Sequence, residues 1–484
     1  MDTRSTHLFV DDTTIGSMHG VVRTLHPAQK SADPVVVPDR PWEGRRVYTY
    51  GTVHYAPESE LFKMWYMCRP SIGPRERAPT LRFGARDLVL YATSDDGIHW
   101  EKPGLGMHEF DGSRENNIVF DLHSPSVIVD QSDGDPEQRY KMLGVGGPER
   151  NYWAAHSADG LTWTDYPVNP VIAGSDTVTT VRDPSTGDYL AFHKRRAPVR
   201  GHERRVVWLA TSPDFQSWSE SRLILVPDEE DDAWVQPTEQ RTEFYVMSGF
   251  PYGGGFLGLL SVFRLESVTE RTGPEQGPHD GPIEAQLTHS GDGREWKRFE
   301  DRSPIIPVGE TGSFDSGCIL GASNPPVIYD DQVWVYYTAI NVTHAGPMPP
   351  KRITIGRACW RLDGFVSLDA GPAGGVVETV PLAFSGERLE VNADASQGSL
   401  AVEVLSAAGD PLRGYGRQHS RAIESDSVRH AVSWEAGDRL PAGNPVRLRF
   451  HLRDAQLYSF RPPPPSEQDH AALGQPGRRL RPVS

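Results

Sequence analysis

Short runs of alternating apolar and polar residues fill this chain, and turn-forming residues interrupt each run. Gly51–Tyr55 leads through Ala-Pro-Glu-Ser-Glu into Leu-Phe-Lys-Met-Trp-Tyr. Ser126–Asp130 leads through an Asp- and Gly-rich stretch into Arg-Tyr-Lys-Met-Leu, and Thr177–Val181 through Arg-Asp-Pro-Ser-Thr-Gly into Asp-Tyr-Leu-Ala-Phe. A more divergent copy crosses a Gly-Gly-Gly turn into Phe256–Phe263, and a last one runs Pro-Pro-Val-Ile-Tyr, Asp-Asp-Gln, Val-Trp-Val-Tyr-Tyr. Period-two alternation of β-branched and aromatic residues between Gly, Pro, Asp and Asn clusters predicts strand–turn–strand units. No stretch sustains a helical period.

Downstream of these units a second pattern recurs: Ala-Thr-Ser-Asp-Asp-Gly-Ile-His-Trp ending at Trp100, Ala-His-Ser-Ala-Asp-Gly-Leu-Thr-Trp at Trp163, Ala-Thr-Ser-Pro-Asp-Phe-Gln-Ser-Trp at Trp218 and Thr-His-Ser-Gly-Asp-Gly-Arg-Glu-Trp at Trp296. Strand-rich repeats of this size are the mark of small sheets arrayed around an axis. Five copies over 42–368, the fifth lacking the Trp element, predict an all-β fold: a five-bladed β-propeller over 1–369, with a strand at 8–12 helping to close the ring. From 370 to 462 alternating strands without the Trp element predict a C-terminal β-sandwich, and 463–484, rich in Pro, is expected to be disordered. In the repeat itself, Ser and Asp are read as turn caps and Trp as a wedge between sheets.

The net charge of −16 argues against nucleic acid or an anionic membrane as partner. Three widely spaced cysteines without metal-ligand spacing fit a reducing compartment, and the chain begins without a signal-like apolar run, so a cytoplasmic protein is expected. No metal constellation stands out, and neither a metal nor another cofactor is expected. His54 and His344 are read as structural.

In a propeller, ligands bind where the innermost strands begin, and the connections between second and third strands lie on that face. This rule selects Glu43, Asp176, Glu243 and Asp315, one carboxylate from each of four repeats. Asp176 and Glu243 are taken as the working pair, with Glu43 and Asp315 positioning hydroxyls or tuning acidity. Cleaving a glycosidic bond requires such a pair, one protonated and one ionised. Trp42 and Tyr50 offer flat surfaces for sugar rings, Tyr48 and Tyr252 being of the same kind. Asp12 is a further candidate, beside Asp11. His193, Lys194 and Arg195 open a basic loop that reaches Arg205 and borders the channel, where it would hold a carboxylate or phosphate.

Leu-Phe-Val-Asp-Asp, Phe-Lys-Met-Trp-Tyr, Tyr-Ala-Thr-Ser-Asp-Asp-Gly-Ile-His-Trp and the closing Leu-Tyr-Ser-Phe resemble bacterial proteins grouped loosely with glycoside hydrolase family 32. The resemblance implies a five-bladed propeller, a C-terminal sandwich and action on furanosides such as fructosides, or arabinosides in the similar family 43. The family's Trp-Met-Asn-Asp-Pro-Asn-Gly and Glu-Cys motifs are absent, so its catalytic residues are not carried over. Arg182-Asp183-Pro184 matches a signature of related propeller glycosidases, but the repeat places Asp183 in a first-hairpin turn, where it is read as structural.

The expected function is hydrolysis of a small oligosaccharide or glycoside. A glycoside phosphorylase, similar to the intracellular mannoside phosphorylases, is one alternative, and a non-catalytic carbohydrate-binding propeller is another. The partner expected is a small carbohydrate, with homodimerisation left open.

Overall fold

The computed structural model describes residues 6–70, 77–83, 86–174, 176–236, 239–270, 277–384 and 387–462. The tail at 463–484 lies outside them. The chain is all-β: among the described residues, the helical elements are short 3-10 turns such as Pro41–Glu43 and Pro136–Gln138.

It divides into two compact units, Pro27–Trp360 and a second made of Met1–His26 with Arg361–Ser484. The division falls at Trp360 rather than at 369. The N-terminal segment does not join the repeats either: His7–Leu8 pairs antiparallel with Ala455–Arg461. Phe9, wholly buried among Leu457, Phe460 and Val391, shows why, since its apolar side chain belongs to the second unit's core.

Within Pro27–Trp360 the first three repeats each form one four-stranded antiparallel sheet, led by Val47–Ala56, His123–Val129 and Val178–Arg182. The fourth, led by Arg241–Tyr252, and the fifth, led by Cys318–Ala322, meet at a single parallel bridge between Ile283 and Cys318. Gln29–Lys30 supplies the outer strand of the fifth by pairing with Ala358 and Cys359.

Small polar side chains tie each leading strand to the next. Thr52 Oγ1 donates to Val127 O at 2.8 Å, and Thr180 N donates to Ser126 Oγ at 2.8 Å. Thr179 Oγ1 donates to Met247 O at 2.7 Å, and Ser248 Oγ to Ala322 O at 2.8 Å. The circuit closes where Thr52 Oγ1 also reaches Asn324 O at 2.9 Å. Hydroxyls suit this place because strands meeting edge to edge leave no room for large side chains and bury carbonyls that need donors.

The Ser-x-Asp element caps its turn as the sequence implies. Ser94 Oγ accepts from Gly97 N, while Asp96 Oδ1 accepts from Ile98 N and His99 N, all at 2.8 Å. The same bonds recur at Ser157/Asp159 and Ser290/Asp292. In the third copy Phe215 holds the glycine position with φ 65°, a left-handed conformation costly for an aromatic residue. The tryptophans pack against neighbouring sheets, Trp100 edge-on to Tyr336 and Trp296 edge-on to Phe192.

The second unit contains two antiparallel sheets. One runs Val22–Leu25, Val366–Ala370, Ala455–Arg461, Glu390–Asp394, Asp426–Ala431; the other runs Ile15–His19, Gly375–Thr379, Val446–Arg453, Ser399–Ser406. Alternate residues of both, among them Val391 and Leu457 from one and Val402 and Phe450 from the other, share one apolar cluster.

Candidate active site

The leading strands of four repeats, and the approach to that of the third, border one cavity of about 490 Å³. Tyr48 and Tyr50 come from the first, His123 from the second, Tyr245 from the fourth and Leu320 from the fifth, while Asp176 stands just ahead of the third. The connections between second and third strands supply much of the remaining wall: Arg69 and Arg86, Arg150, and His344 through Lys351. The place expected from the repeat is therefore where the cavity is.

Among the described lining residues, Asp176 is the one carboxylate. His123 Nε2 lies 2.8 Å from Asp176 Oδ1, Lys194 Nζ lies 2.7 Å from Oδ2, and an Arg150 nitrogen lies at 3.5 Å. Burial by itself would raise this carboxyl, but Lys194 and His123 overcome it and hold Asp176 well below the ordinary carboxylate range. A third of the side chain remains exposed to the cavity. Asp176 is thus an ionised group presented to a ligand.

Lys194 is itself oriented, its ammonium 3.5 Å from the centre of the Tyr245 ring. Burial pulls this ammonium down to about 8, against the opposing pull of Asp176. Behind His123, Asp87 Oδ1 lies 3.4 Å from Nδ1 and accepts from Arg69 Nε at 2.7 Å. Against the desolvation that burial brings, His123 and Arg69 keep Asp87 ionised, far below its ordinary range.

A smaller cavity of about 230 Å³ shares Arg86, His123 and Arg150 with the first and is lined as well by Asp87 and Asp121. Asp121 accepts from Phe83 N. Burial dominates here and pushes its carboxyl up to about 6. Two carboxyls on adjoining cavities are thus driven in opposite directions, the arrangement that separates an acid from a base.

The other predicted carboxylates do not line the cavity: each is itself buried, its oxygens taken up by a basic side chain and other donors. Glu43, fully buried, accepts from the backbone N of Asp39 at 2.9 Å, from Arg40 N at 3.0 Å and from Tyr66 OH at 2.8 Å, and pairs with Lys102 at 2.8 Å. Asp315 is buried on Lys30 Nζ at 2.7 Å and Tyr337 OH at 2.9 Å. Glu243 is fully buried between Arg205 and Arg241, with Arg241 Nε at 2.8 Å. It is no partner for Asp176 in acid–base work, because it lines neither this cavity nor the one adjoining it.

Of the predicted sugar contacts, Tyr50 lines the cavity, stacked on Tyr48 with ring centres 5.6 Å apart. Trp42 does not; its Nε1 donates to Asn117 Oδ1 at 2.8 Å and its ring packs into the first repeat's core. Asp12 belongs to the second unit and pairs with Arg23. His193 and Arg195 flank Lys194 on a strand, so alternation points them away from it. His193 is buried with Nε2 2.9 Å from Ser221 Oγ, and burial lowers it to about 3. Arg195 stacks on Trp208. The expected basic loop is in fact two long strands, Tyr189–Val199 and His202–Ser212, turning at Arg200 and Gly201. Asp183, as expected, caps its turn through Ser185 and Thr186 and is wholly buried. Among the described residues no group of three or more His, Cys, Asp or Glu side chains is placed to hold a metal ion.

No family model matches the chain. In sequence it is similar to invertase 1 of Saccharomyces cerevisiae, 27% identical over 190 residues, and the match spans 34% of each protein. Among solved structures it is similar to the Bombyx mori family 32 β-fructofuranosidase, with a TM-score of 0.42 and 11% identity over 89% of this chain and 94% of that one. It is also similar to the β-1,2-mannobiose phosphorylase of Listeria innocua, with a TM-score of 0.41 and 16% identity over 71% of this chain and 97% of that one. Among the described residues no helix is long and apolar enough to cross a membrane.

Proposed function

We propose that the protein cleaves a glycosidic bond at the cavity bordered by Asp176. In this reading the five repeats of Pro27–Trp360 are the blades of a five-bladed propeller, supported by the closed circuit of hydroxyl contacts between leading strands. The two sheets of the second unit, with their common apolar cluster, are a β-sandwich.

The observation that carries the function is Asp176 itself, held ionised by Lys194 and His123 in a pit bordered by the leading strands of the other four repeats. An oxocarbenium-like transition state develops positive charge, and an ionised carboxylate at the cavity wall stabilises it. The departing oxygen needs a proton at the same moment. Asp121, raised to about 6 on the adjoining cavity, is the group whose acidity suits that role. Tyr48 and Tyr50 give the sugar an aromatic wall. The substrate in this reading is a small glycoside, with furanosides favoured by the loose likeness to an invertase, and water is the acceptor.

Leaving-group dependence tests the assignment. An Asp121→Asn enzyme should keep turnover of aryl glycosides whose phenols leave without protonation and lose alkyl glycosides. An Asp176→Asn enzyme should lose both. Equal loss on both substrate classes in Asp121→Asn removes Asp121 from the acid role.

A further inference from the structure

Sugar hydroxyls both give and take hydrogen bonds, so a pocket that holds a sugar needs acceptors as well as donors. Arg46, Arg69, Arg86, Arg150 and Lys351 line the larger cavity and, however each is paired, their side chains only donate. Asp176, being ionised, only accepts. Tyr245 is a second acceptor, for a reason that lies behind it.

The direction of the Tyr245 hydroxyl follows from the histidine it meets. His344 is pinned to segment 279–281: its backbone N donates to Gly281 O at 3.0 Å, and its Nδ1 lies 2.9 Å from His279 O. A carbonyl oxygen can only accept, so Nδ1 carries the hydrogen. Burial, and after it Lys351, lowers this imidazole to about 3, so near neutral pH Nε2 keeps a bare lone pair. Tyr245 Oη lies 3.3 Å from that nitrogen. The phenol keeps its proton, since burial and then Asp176 raise it above its ordinary value. The Tyr245 O–H therefore donates to Nε2, and what Oη has left for the cavity is lone pairs.

The strand beneath also singles out Tyr245. Where Arg241–Tyr252 pairs with Gly255–Leu265 the register shifts between Phe244 and Val246, which leaves Tyr245 as the extra residue of a bulge. Such a bulge breaks strict alternation and re-aims a side chain. Lys194 Nζ lies 2.7 Å from Asp176 Oδ2 and 3.5 Å from the centre of the Tyr245 ring, so one cation ties the two acceptors together.

We infer that Tyr245 determines specificity by accepting a hydrogen bond from one free hydroxyl of the glycoside, with His344 as the positioning residue that sets its direction. This rests on the reading that the Asp176 cavity is the carbohydrate site, and it adds what the sugar must carry there. A hydrogen, a fluorine or an ether oxygen in place of that hydroxyl gives Oη nothing to accept.

The test starts from the 4-nitrophenyl furanoside or pyranoside that the full-length parent turns over fastest. It is compared with its monodeoxy and monodeoxyfluoro analogues at each hydroxyl of the glycon, because fluorine accepts but cannot donate. At one hydroxyl both analogues should lose kcat/KM by about tenfold or more in the parent enzyme. In Tyr245→Phe, shown to be folded by thermal unfolding, that loss should shrink to about twofold at that hydroxyl alone. Comparing parent with variant cancels the intrinsic slowing that fluorine causes. In His344→Leu the freed O–H can turn and donate, so at the same hydroxyl the fluoro analogue should gain on the deoxy analogue by about twofold or more. Lost packing alone would not move that ratio. The inference is overturned if no hydroxyl shows the joint loss in the parent enzyme, if the loss persists undiminished in folded Tyr245→Phe, or if the fluoro-to-deoxy ratio is unchanged in folded His344→Leu. Failure of the underlying reading looks different: turnover would survive Asp176→Asn, or no glycoside would be turned over, and this inference falls with it.

Discussion

Lys194 Nζ sits 2.7 Å from Asp176 Oδ2 and lies over the face of Tyr245, so a single lysine both charges the key carboxylate and fixes it in place. Removing the ammonium leaves burial to act on Asp176 with less opposition, and its carboxyl rises. In Lys194→Met the acidic limb of the pH–rate profile should move to higher pH by about one unit or more. A limb that stays in place would mean that Asp176 does not set it.

Glu243 should behave as structure rather than chemistry. Burial alone would raise its carboxyl, but Arg205 and Arg241 hold it below the ordinary value of 4.5. Its contribution to stability is therefore present above that value and is lost as pH falls through the lowered one. Glu243→Gln leaves buried guanidinium groups without their counter-charge, which costs about 3–5 kcal/mol. Thermal unfolding at pH 7 should show a marked drop, shrinking as the pH is lowered. An unchanged melting temperature with abolished turnover would return Glu243 to the catalytic pair.

Asp121 gives the opposite sign. Its folded carboxyl titrates near 6 against an ordinary 3.8, so the folded state holds its proton longer and loses stability as pH rises between those values. Asp121→Asn should melt higher than the parent by about 2–4 °C at pH 8 and equal it at pH 4 or below. On alkyl glycosides its alkaline activity limb near pH 6 should disappear along with most of the activity, while aryl glycosides that leave without protonation keep theirs. A variant that melts lower at pH 8 would show that the carboxylate is stabilising and ionised.

The turn glycines allow a paired test of packing. Gly160 has φ 78°, and a Cβ there would lie 2.7 Å from Trp65 Cζ2, whereas Gly106 has φ 70° with nothing within 4 Å. Both alanine variants bear the left-handed strain; only Gly160→Ala also displaces the tryptophan. Gly160→Ala should lose about 1–3 kcal/mol more than Gly106→Ala by denaturant unfolding. Equal losses would mean that Trp65 tolerates displacement.

Sheet order and the location of the cavity were legible in the sequence because repeats align the leading strands and the connections that border them. Which acids face the cavity was not. Glu43, Asp176, Glu243 and Asp315 occupy similar positions in the repeat and each meets a cation, and what separates them is that a third of the Asp176 side chain stays exposed while the other three are buried. Lys102, Arg205 and Lys30 claim three of them through contacts that no local pattern announces. The error at His193 and Arg195 was avoidable, since period-two alternation already opposes them to Lys194. Arg46, Arg69, Arg150 and Lys351 share no motif. The three of these that follow second strands become visible when the strand-two-to-three connections are searched for cations rather than for acids.

Steady-state kinetics of Asp176→Asn, alongside its thermal unfolding, tests the central assignment most directly. On a panel of aryl pentofuranosides, hexofuranosides, pyranosides and uronides, with and without phosphate, the parent should turn over at least one member. The variant should fold normally and lose turnover on that member by at least about 100-fold. Turnover within about twofold of the parent, or a parent inert across the whole panel, would contradict the account.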